Sequence, residues 1–432
     1  MNRINNLKLL NDNEIREIYE DNIDFVNYAE TLRTIILNAT TPITIGIHGE
    51  WGSGKSSLMR ITNKLLKEDA KTIWFNAWKY DETYDLRAAL IQTILYEIGK
   101  DEKLIERVAD LYKKINYLSL IKLVASNAFG RLNLDIENIV NKNAELTYIG
   151  DFDVEFNELV KRYANNQKLV IFIDDLDRCL PDKILDILEA IKLFLDADGC
   201  VFVIGANKDI IEDAIKINYN NASFKSIDYM EKLVQLPFNL PMLREMDSEK
   251  FIEKIAPTEI KKYSSTIAKV GGNPRRLKRI INKFIFQTIL SENIPEINNK
   301  IKLDMLAKFS VLELRWAVFY SNILKFCDEN LCLAIEKIEE LGPDERISYG
   351  IENELIKFLK DNPPVTGADI SPYIYLRSAS SYEEEFYVSD RISDLNKFLE
   401  VDRRIRSNER NDEVMGATDD KINIQDYIKN RR

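Results

Sequence analysis

Histidine, cysteine and long apolar runs are scarce in this chain of 432 residues. The only histidine, His48, excludes a histidine-rich zinc site, and any serine or cysteine triad would have to use that one imidazole. The four cysteines fit no zinc motif or disulfide scaffold, so we expect reduced thiols in a cytoplasmic protein. The most membrane-like stretch, residues 117–130, contains Lys122 and is shorter than the about 20 apolar residues of a spanning helix. We therefore expect no transmembrane segment.

The charge balance is acidic, with 71 acidic and 60 basic residues and a net charge of −11. This balance argues against a general nucleic-acid coat protein, although a local basic patch is compatible with it. Hydrophobic residues make up 45% of the chain, which is enough for a core, and the length suggests two or three domains. With so little histidine, the chemistry must use carboxylates, lysine, backbone amides and a bound metal.

Short apolar runs alternate with helical patterns up to Pro241. This alternation predicts an α/β fold, in which helices flank a central, mostly parallel five-stranded sheet and an α-helical C-terminal region follows. The last run is flanked by proline, which is typical of an edge strand. The predicted strands are 42–47, 72–75, 169–173, 200–204 and 235–241.

The same pattern predicts three parts of the chain. Residues 1–245 form the α/β core, with a helical insertion at about 100–150. Residues 246–295 form a helical lid or sensor subdomain. Residues 296–432 form a mainly helical domain that ends in a polar tail.

The segment GEWGSGKS, residues 49–56, fits the phosphate-loop pattern G-x-x-x-x-G-K-[ST], also called Walker A. Glycines allow the backbone N–H groups to wrap a phosphate, and the following helix points its N-terminus at the anion. Lys55 can reach the β- and γ-phosphates, and the Ser56 hydroxyl can bind Mg²⁺. We therefore predict that ATP and Mg²⁺ bind at Gly49, Glu50, Trp51, Gly52, Ser53, Gly54, Lys55, Ser56 and Ser57.

Two carboxylates, Asp174 and Asp175, follow the buried run LVIFI. The carboxyl end of a central parallel strand faces the crevice in which ligands bind. As in a Walker B motif, Asp174 can hold Mg²⁺ and Asp175 can orient or deprotonate the attacking water. A solvated loop at the end of the strand is the alternative.

Six segments together resemble the KAP family of P-loop NTPases, and the resemblance is dense over about 20–290. They are GEWGSGKSS (49–57), FNAWKYDET (75–83), FIDDLDRCLPDKILDILEAIKLFLD (172–196), YMEKLVQLPFNLP (229–241), GGNPRRLKRIINKF (271–284) and ISPYIYLR (370–377). The resemblance implies a fold of the AAA and STAND type, with an extra strand between the two nucleotide motifs. Prokaryotic members of the family are often linked to phage exclusion. Many members insert transmembrane helices between the motifs, where this chain has too few apolar residues.

Further site residues follow from this resemblance. Asn207 departs from the aspartate that many family members carry there. Like the sensor asparagine of AAA-type enzymes, it can orient a water or contact the γ-phosphate, and a turn residue at the strand end is the alternative. Arg275 and Arg276 match a second sensor that contacts the nucleotide and couples it to the helical region, and a basic helix face is the alternative. Lys232 and Arg178 are candidate fingers that act on a neighbouring subunit, and a structural ion pair is the alternative for each.

Four hydrophobic residues and the histidine have less decisive patterns. Phe25, Tyr28 and Leu32 either border adenine or belong to the core. We expect Trp78 to be an interdomain core residue, with packing near the nucleotide or at a partner surface as the alternatives. His48 is expected to pack at a strand end.

The favoured function is an oligomerising signalling ATPase that engages a protein effector or sensor, in phage defence. A nucleotide-held binding module without turnover is a second hypothesis, although Asp175 argues against it. A nucleic-acid-directed motor is a third, disfavoured by the acidic charge but compatible with basic clusters at 275–283 and 403–410.

Overall fold

A computed structural model describes most of the chain. The described residues are 8–81, 86–111, 154–193, 198–219, 226–317, 320, 353–361, 372–373 and 376. Most of the predicted helical insertion, the segment 370–377 apart from three residues, and the polar tail lie outside these residues.

One sheet of five strands is built from β1 (Ile43–His48), β2 (Ala70–Asn76), β3 (Lys168–Asp174), β4 (Cys200–Ala206) and β5 (Leu236–Asn239). The strand order is β2-β3-β4-β1-β5, and every neighbouring pair is parallel. The predicted fold class is therefore confirmed, with β5 at an edge where Pro237 is tolerated. Strand β4 separates β1 from β3, and this is the extra strand that the resemblance implied.

Helices occupy most of the remaining described residues, and several begin at recognisable signals. Pro181 and Pro274 each stand at the first position of a helix, where the missing N–H costs nothing. The helices are α1 (Phe25–Asn38), α2 (Lys55–Leu66), α3 (Leu86–Ile98), α4 (Pro181–Leu193), α5 (Lys208–Tyr219), α6 (Ser226–Leu233), α7 (Glu245–Ile255), α8 (Thr258–Lys261), α9 (Ser264–Ala268), α10 (Pro274–Asn293), α11 (Pro295–Asn298), α12 (Leu303–Arg315) and α13 (Asn353–Lys360). Residues 154–164 are also helical.

The central strand β3 is covered on both faces. Its residues Leu169, Ile171 and Ile173 belong to one buried cluster, together with residues of α3, α4 and α5. Val170 and Phe172 belong to a second cluster with residues of α1 and α2. Because successive side chains of a strand point to opposite faces, the apolar run LVIFI supplies both cores at once.

The register of the strands brings their carboxyl ends to one edge of the sheet. His48 is opposite Ala206 of β4 and Asn239 of β5, and Asn76 of β2 is opposite Asp174 of β3. The loop that follows β1 and the carboxylates at the end of β3 therefore lie at the same edge, which is where parallel sheets bind ligands.

The chain divides into two compact units. The sheet unit comprises residues 11–255 and 271–278, and the helical unit comprises residues 1–10, 256–270 and 279–432. The three-part division expected from the sequence stays a prediction. In the part of the chain that the structure describes, no helix combines the length and apolar character needed to cross a membrane.

Candidate functional site

The phosphate loop lies between β1 and α2, and two of its glycines have a left-handed backbone. Gly52 has φ +85° and Gly54 has φ +102°, conformations that residues with a side chain rarely adopt. A Cβ atom at Gly54 would lie 2.5 Å from Cε2 of Phe25. Helix α2 begins directly afterwards at Lys55, so its N-terminal N–H groups face the loop.

The side chain of Lys55 is buried and points back into the loop. Its Nζ atom donates to the carbonyl oxygens of Gly49 at 2.8 Å and Glu50 at 3.2 Å. The same atom lies 3.4 Å from Oδ2 of Asp177. The lysine is thus held at the place where the motif requires a cation for phosphate.

Ser56 and Asp174 meet at the magnesium end of the site. The Ser56 hydroxyl donates to Oδ1 of Asp174 at 2.9 Å. Burial, assisted by the neighbouring Asp175, raises the pKa of Asp174 to about 7, although the Ser56 hydroxyl opposes this shift. A cation bound beside this carboxyl would favour its charged form and so oppose the effect of burial.

These residues fit the metal and nucleotide that the motif implies. A hydroxyl and a carboxylate are the oxygen ligands that Mg²⁺ prefers. Within the loop, the buried Oγ of Ser53 has no hydrogen-bond partner among the described residues, as expected of a group that awaits a phosphate oxygen.

Asp175, the candidate base, turns the chain out of β3 with φ +56°, a conformation that aspartate tolerates better than most residues. The side-chain amide of Asn76 donates to its Oδ2 at 2.8 Å. Nε of Arg178 lies 2.8 Å from its Oδ1. Arg178 thus forms an ion pair within its own chain, which was the alternative to a finger role, and that role stays a prediction.

Trp78 is 53% exposed, so the expectation of a core tryptophan was wrong. The chain leaves β2 in a short 3-10 turn, Ala77–Tyr80, in which Ala77 takes the buried position and Trp78 faces solvent. The guanidinium carbon of Arg178 lies 5.0 Å from the centre of the Trp78 ring, a cation–π contact. Trp78 therefore packs on Arg178, which is one of the two groups beside Asp175.

Asn207 follows β4 and connects two parts of the site. Its backbone N–H donates to Oδ2 of Asp177 at 2.6 Å. Its side-chain oxygen accepts the N–H of Asp209 at 3.0 Å and so caps α5. Since the oxygen is used in this cap, a sensor role would fall to the side-chain NH₂ group, and that role stays a prediction.

The segment that begins α10 packs against the middle of the phosphate loop. The side-chain amide of Asn273 donates to the carbonyl of Trp51 at 3.1 Å, and the N–H of Arg275 donates to the carbonyl of Gly52 at 3.3 Å. Asn273 also caps the helix by accepting the N–H of Arg276 at 3.0 Å. The structure therefore brings Arg275 to the loop, and contact of either arginine with nucleotide stays a prediction.

The remaining candidates occupy different settings. Lys232 is exposed near the end of α6, just before the edge strand. Phe25 and Leu32 are buried core residues, whereas Tyr28 is 38% exposed. His48 is packed at the end of β1 as expected, and burial lowers its pKa.

Three residues of the site were missed by the sequence patterns. Asn76 and Asn273 are asparagines at the end of a strand and the start of a helix, and their sequence positions give only a turn signal. The contact of Asp177 with Lys55 was missed as well, because it joins positions far apart in the chain.

Known proteins resemble the chain over its α/β core and beyond. It is 24% identical to the phage T7 exclusion protein of Escherichia coli over 279 residues, which are 55% of this chain and 35% of that protein. It is 22% identical to the ORC1-type DNA replication protein 2 of Thermoplasma acidophilum over 354 residues, 79% of this chain and 74% of that protein. Among solved structures, the Aeropyrum pernix ORC2 protein has a TM-score of 0.36 at 13% identity and covers 91% of this chain and 88% of its own.

The chain spans about a third of the length of the phage T7 exclusion protein, since the match covers 35% of that protein. The model of the KAP family P-loop domain matches residues 25–289, more than half of the 432 residues. This matched range contains the phosphate loop, both carboxylates after β3 and the segment that begins α10. The chain therefore belongs to the KAP family of P-loop NTPases.

Proposed function

We propose that the chain binds ATP with Mg²⁺ at the phosphate loop and hydrolyses it as a signalling ATPase. The observation that carries this proposal is the hydrogen bond between Ser56 and Asp174, with a second carboxylate, Asp175, directly beyond it. This arrangement offers a metal site and a base at one edge of the sheet. A module that only holds nucleotide would need the metal site but not the base.

Each group of the site has a distinct part in the reaction. Backbone N–H groups of the glycine loop and the Lys55 ammonium bind the phosphates. Ser56 and Asp174 would hold Mg²⁺, which when bound neutralises charge on the β- and γ-phosphates. The Asp175 carboxylate accepts a proton from the attacking water, and Asn76 orients that carboxylate.

We assign to α10 the coupling between the bound nucleotide and the rest of the protein. Its first turn belongs to the sheet unit and contacts the phosphate loop through Arg275. From Arg279 onward the helix belongs to the helical unit. A change in the loop on ATP binding or hydrolysis would therefore act on the first turn of α10.

Self-association would complete the active site with a cation from a neighbour. Lys232 is the better candidate for that cation, because it is exposed while Arg178 is paired with Asp175. The resemblance to the phage T7 exclusion protein supports a part in defence against phage, with an effector or sensor protein as partner.

A direct experiment on the purified chain is the release of phosphate from ATP in the presence of Mg²⁺ and after its removal with EDTA. Metal-dependent release is expected, together with larger assemblies in ATP by light scattering. ATP binding without release would leave the nucleotide-held module as the function.

A nucleic-acid-directed function is a second candidate, favoured by the match to an ORC1-type DNA replication protein over 79% of this chain. Binding to DNA would weaken steeply as salt is raised, because counterions are released from phosphates. Titration of labelled duplex DNA at two salt concentrations separates this candidate from the first.

A further inference from the structure

Asp177 is the third carboxylate of the segment at the end of β3, and like Asp174 it is buried. It belongs to the 3-10 turn Leu176–Arg178, and its side chain is only 2% exposed. A single oxygen, Oδ2, accepts the N–H of Asn207 at 2.6 Å and lies 3.4 Å from Nζ of Lys55. A buried carboxylate is costly unless it is paired, and these contacts supply the pairing.

The three carboxylates have different partners. Asp174 accepts the hydroxyl of Ser56, which marks the metal end of the site. Asp175 is held by Asn76 and Arg178. Asp177 pairs with Lys55 of the phosphate loop. Its partner therefore differs from those of Asp174, the candidate metal ligand, and Asp175, the candidate base.

The ammonium group of Lys55 is fully used by the protein itself. A lysine has three N–H donors. Two of them are directed to the carbonyls of Gly49 and Glu50, and the third faces Asp177. A phosphate that is to bind the ammonium must therefore take the place of at least one of these partners.

We propose that the Asp177 carboxylate pairs with the Lys55 ammonium where a nucleotide phosphate would otherwise bind it. Through this ion pair, Asp177 sets how tightly the loop binds nucleotide. This inference rests on the proposed function, since it concerns the affinity of the same site. Asp177 is in this sense a positioning residue, which acts on the nucleotide through Lys55.

Two electrostatic effects of Asp177 have the same sign. Its negative charge repels a phosphate that binds beside Lys55. Its ion pair also stabilises the nucleotide-free chain, because an unpaired buried ammonium would be costly. Both effects weaken nucleotide binding, so removal of the charge should strengthen it.

The substitution Asp177→Asn removes the charge with little change of shape. Because one oxygen makes both contacts, the amide oxygen of asparagine can still accept the N–H of Asn207. The matched control is Asp182→Asn, which removes an exposed aspartate charge at the start of α4, outside the site. ADP is the suitable probe, since it lacks the γ-phosphate while its β-phosphate still lies within reach of Lys55.

Calorimetric titration of ADP into the three chains tests the proposal. Asp177→Asn should bind ADP about tenfold more tightly than wild type, which corresponds to about 1.4 kcal/mol. Asp182→Asn should remain within about threefold of wild type. In thermal melts, Asp177→Asn should be less stable than wild type without ADP and should gain more from saturating ADP.

Equal or weaker ADP binding by folded Asp177→Asn, beside normal binding by wild type, would overturn the proposal. If the variant also lost the same stability with ADP as without it, Asp177 would be a purely structural residue. If the asparagine variant does not fold, Asp177→Ser, which is also neutral and keeps an acceptor, is titrated in its place with the same expected result. A wild-type chain that binds no nucleotide would overturn the proposed function and this inference with it.

Discussion

The carbonyl oxygen of Gly52 accepts the backbone N–H of Arg275 at 3.3 Å, so the phosphate loop and the start of α10 share a hydrogen bond. The approach is close enough that a Cβ atom at position 52 would lie 2.5 Å from the Cβ of Arg275. Gly52 also has φ +85°. The glycine is therefore required by the contact with α10 as well as by the turn of the loop.

Gly52→Ala should destabilise the sheet unit and weaken nucleotide binding, because the methyl group forces the loop and α10 apart. We expect a loss of about 3 kcal/mol in the free energy of unfolding, measured by urea denaturation. Gly199→Ala is a matched control, since Gly199 has φ +87° but, its chain neighbours aside, no atom of the described residues lies within 4 Å of the place that an added methyl group would take. It should cost only about 1–2 kcal/mol, from backbone strain alone. Equal losses in the two variants would show that the contact with Arg275 is unimportant.

Asp175→Asn should retain ATP and lose turnover, because the amide keeps the shape of the carboxylate but cannot accept a proton from water. The rate of phosphate release should fall by about 10²–10⁴. Asp182→Asn, a position at the start of α4, should leave the rate unchanged. Hydrolysis by Asp175→Asn at nearly the wild-type rate would remove Asp175 from the role of base.

The raised pKa of Asp174 determines how the stability of the nucleotide-free chain changes with pH. The pKa of its carboxyl is raised to about 7 in the folded chain, whereas an unfolded aspartate titrates near 4. Between these values the folded chain retains a proton that the unfolded chain has lost, so this group lowers the stability of the nucleotide-free chain as the pH rises. Asp174→Asn should therefore flatten the fall of the unfolding free energy between about pH 4 and about pH 7.

Metal binding should strengthen as the pH rises, whereas stability falls, because Mg²⁺ requires the ionised carboxylate. The increase in ATP affinity that Mg²⁺ produces should grow as the pH passes about 7 in wild type and be absent in Asp174→Asn. Calorimetry with and without Mg²⁺ at pH values on either side of this point measures the effect. A metal effect that is independent of pH would contradict the assignment of Asp174.

A shared active site predicts complementation between inactive variants. Lys232→Ala should lower phosphate release by about tenfold or more if Lys232 acts on a neighbour. Mixed with Lys55→Ala, which keeps its Lys232, it should recover activity, because each chain supplies what the other has lost. Lys216→Ala, at another exposed lysine, should keep the wild-type rate. If the activity per chain stayed constant on dilution and the chain remained a monomer in ATP, Lys232 would be an ordinary surface residue.

The fold was predictable from the sequence where burial dictates residue type. Apolar runs mark all five strands, and the proline-flanked run is the edge strand as expected. The phosphate-loop pattern was recognised from its own residue spacing, and the Asp174–Asp175 pair because it sits at the end of such a run.

Contacts that depend on strand register were beyond the sequence. Asn76 reaches Asp175 only because β2 and β3 align Asn76 with Asp174, and no local pattern fixes that alignment. The exposure of Trp78 was missed because its hydrophobicity favours burial, while the 3-10 turn places Ala77 inward instead.

The decisive measurement is calorimetric titration of ATP with Mg²⁺ into wild type, Lys55→Ala and Lys64→Ala. Lys64 is a lysine in the last turn of the same helix, away from the loop, where it pairs with Glu17. Lys55→Ala should remain folded and lose at least about a hundredfold in ATP affinity, while Lys64→Ala should bind as wild type does. Near-normal ATP affinity in folded Lys55→Ala would contradict the assignment of the nucleotide to this loop.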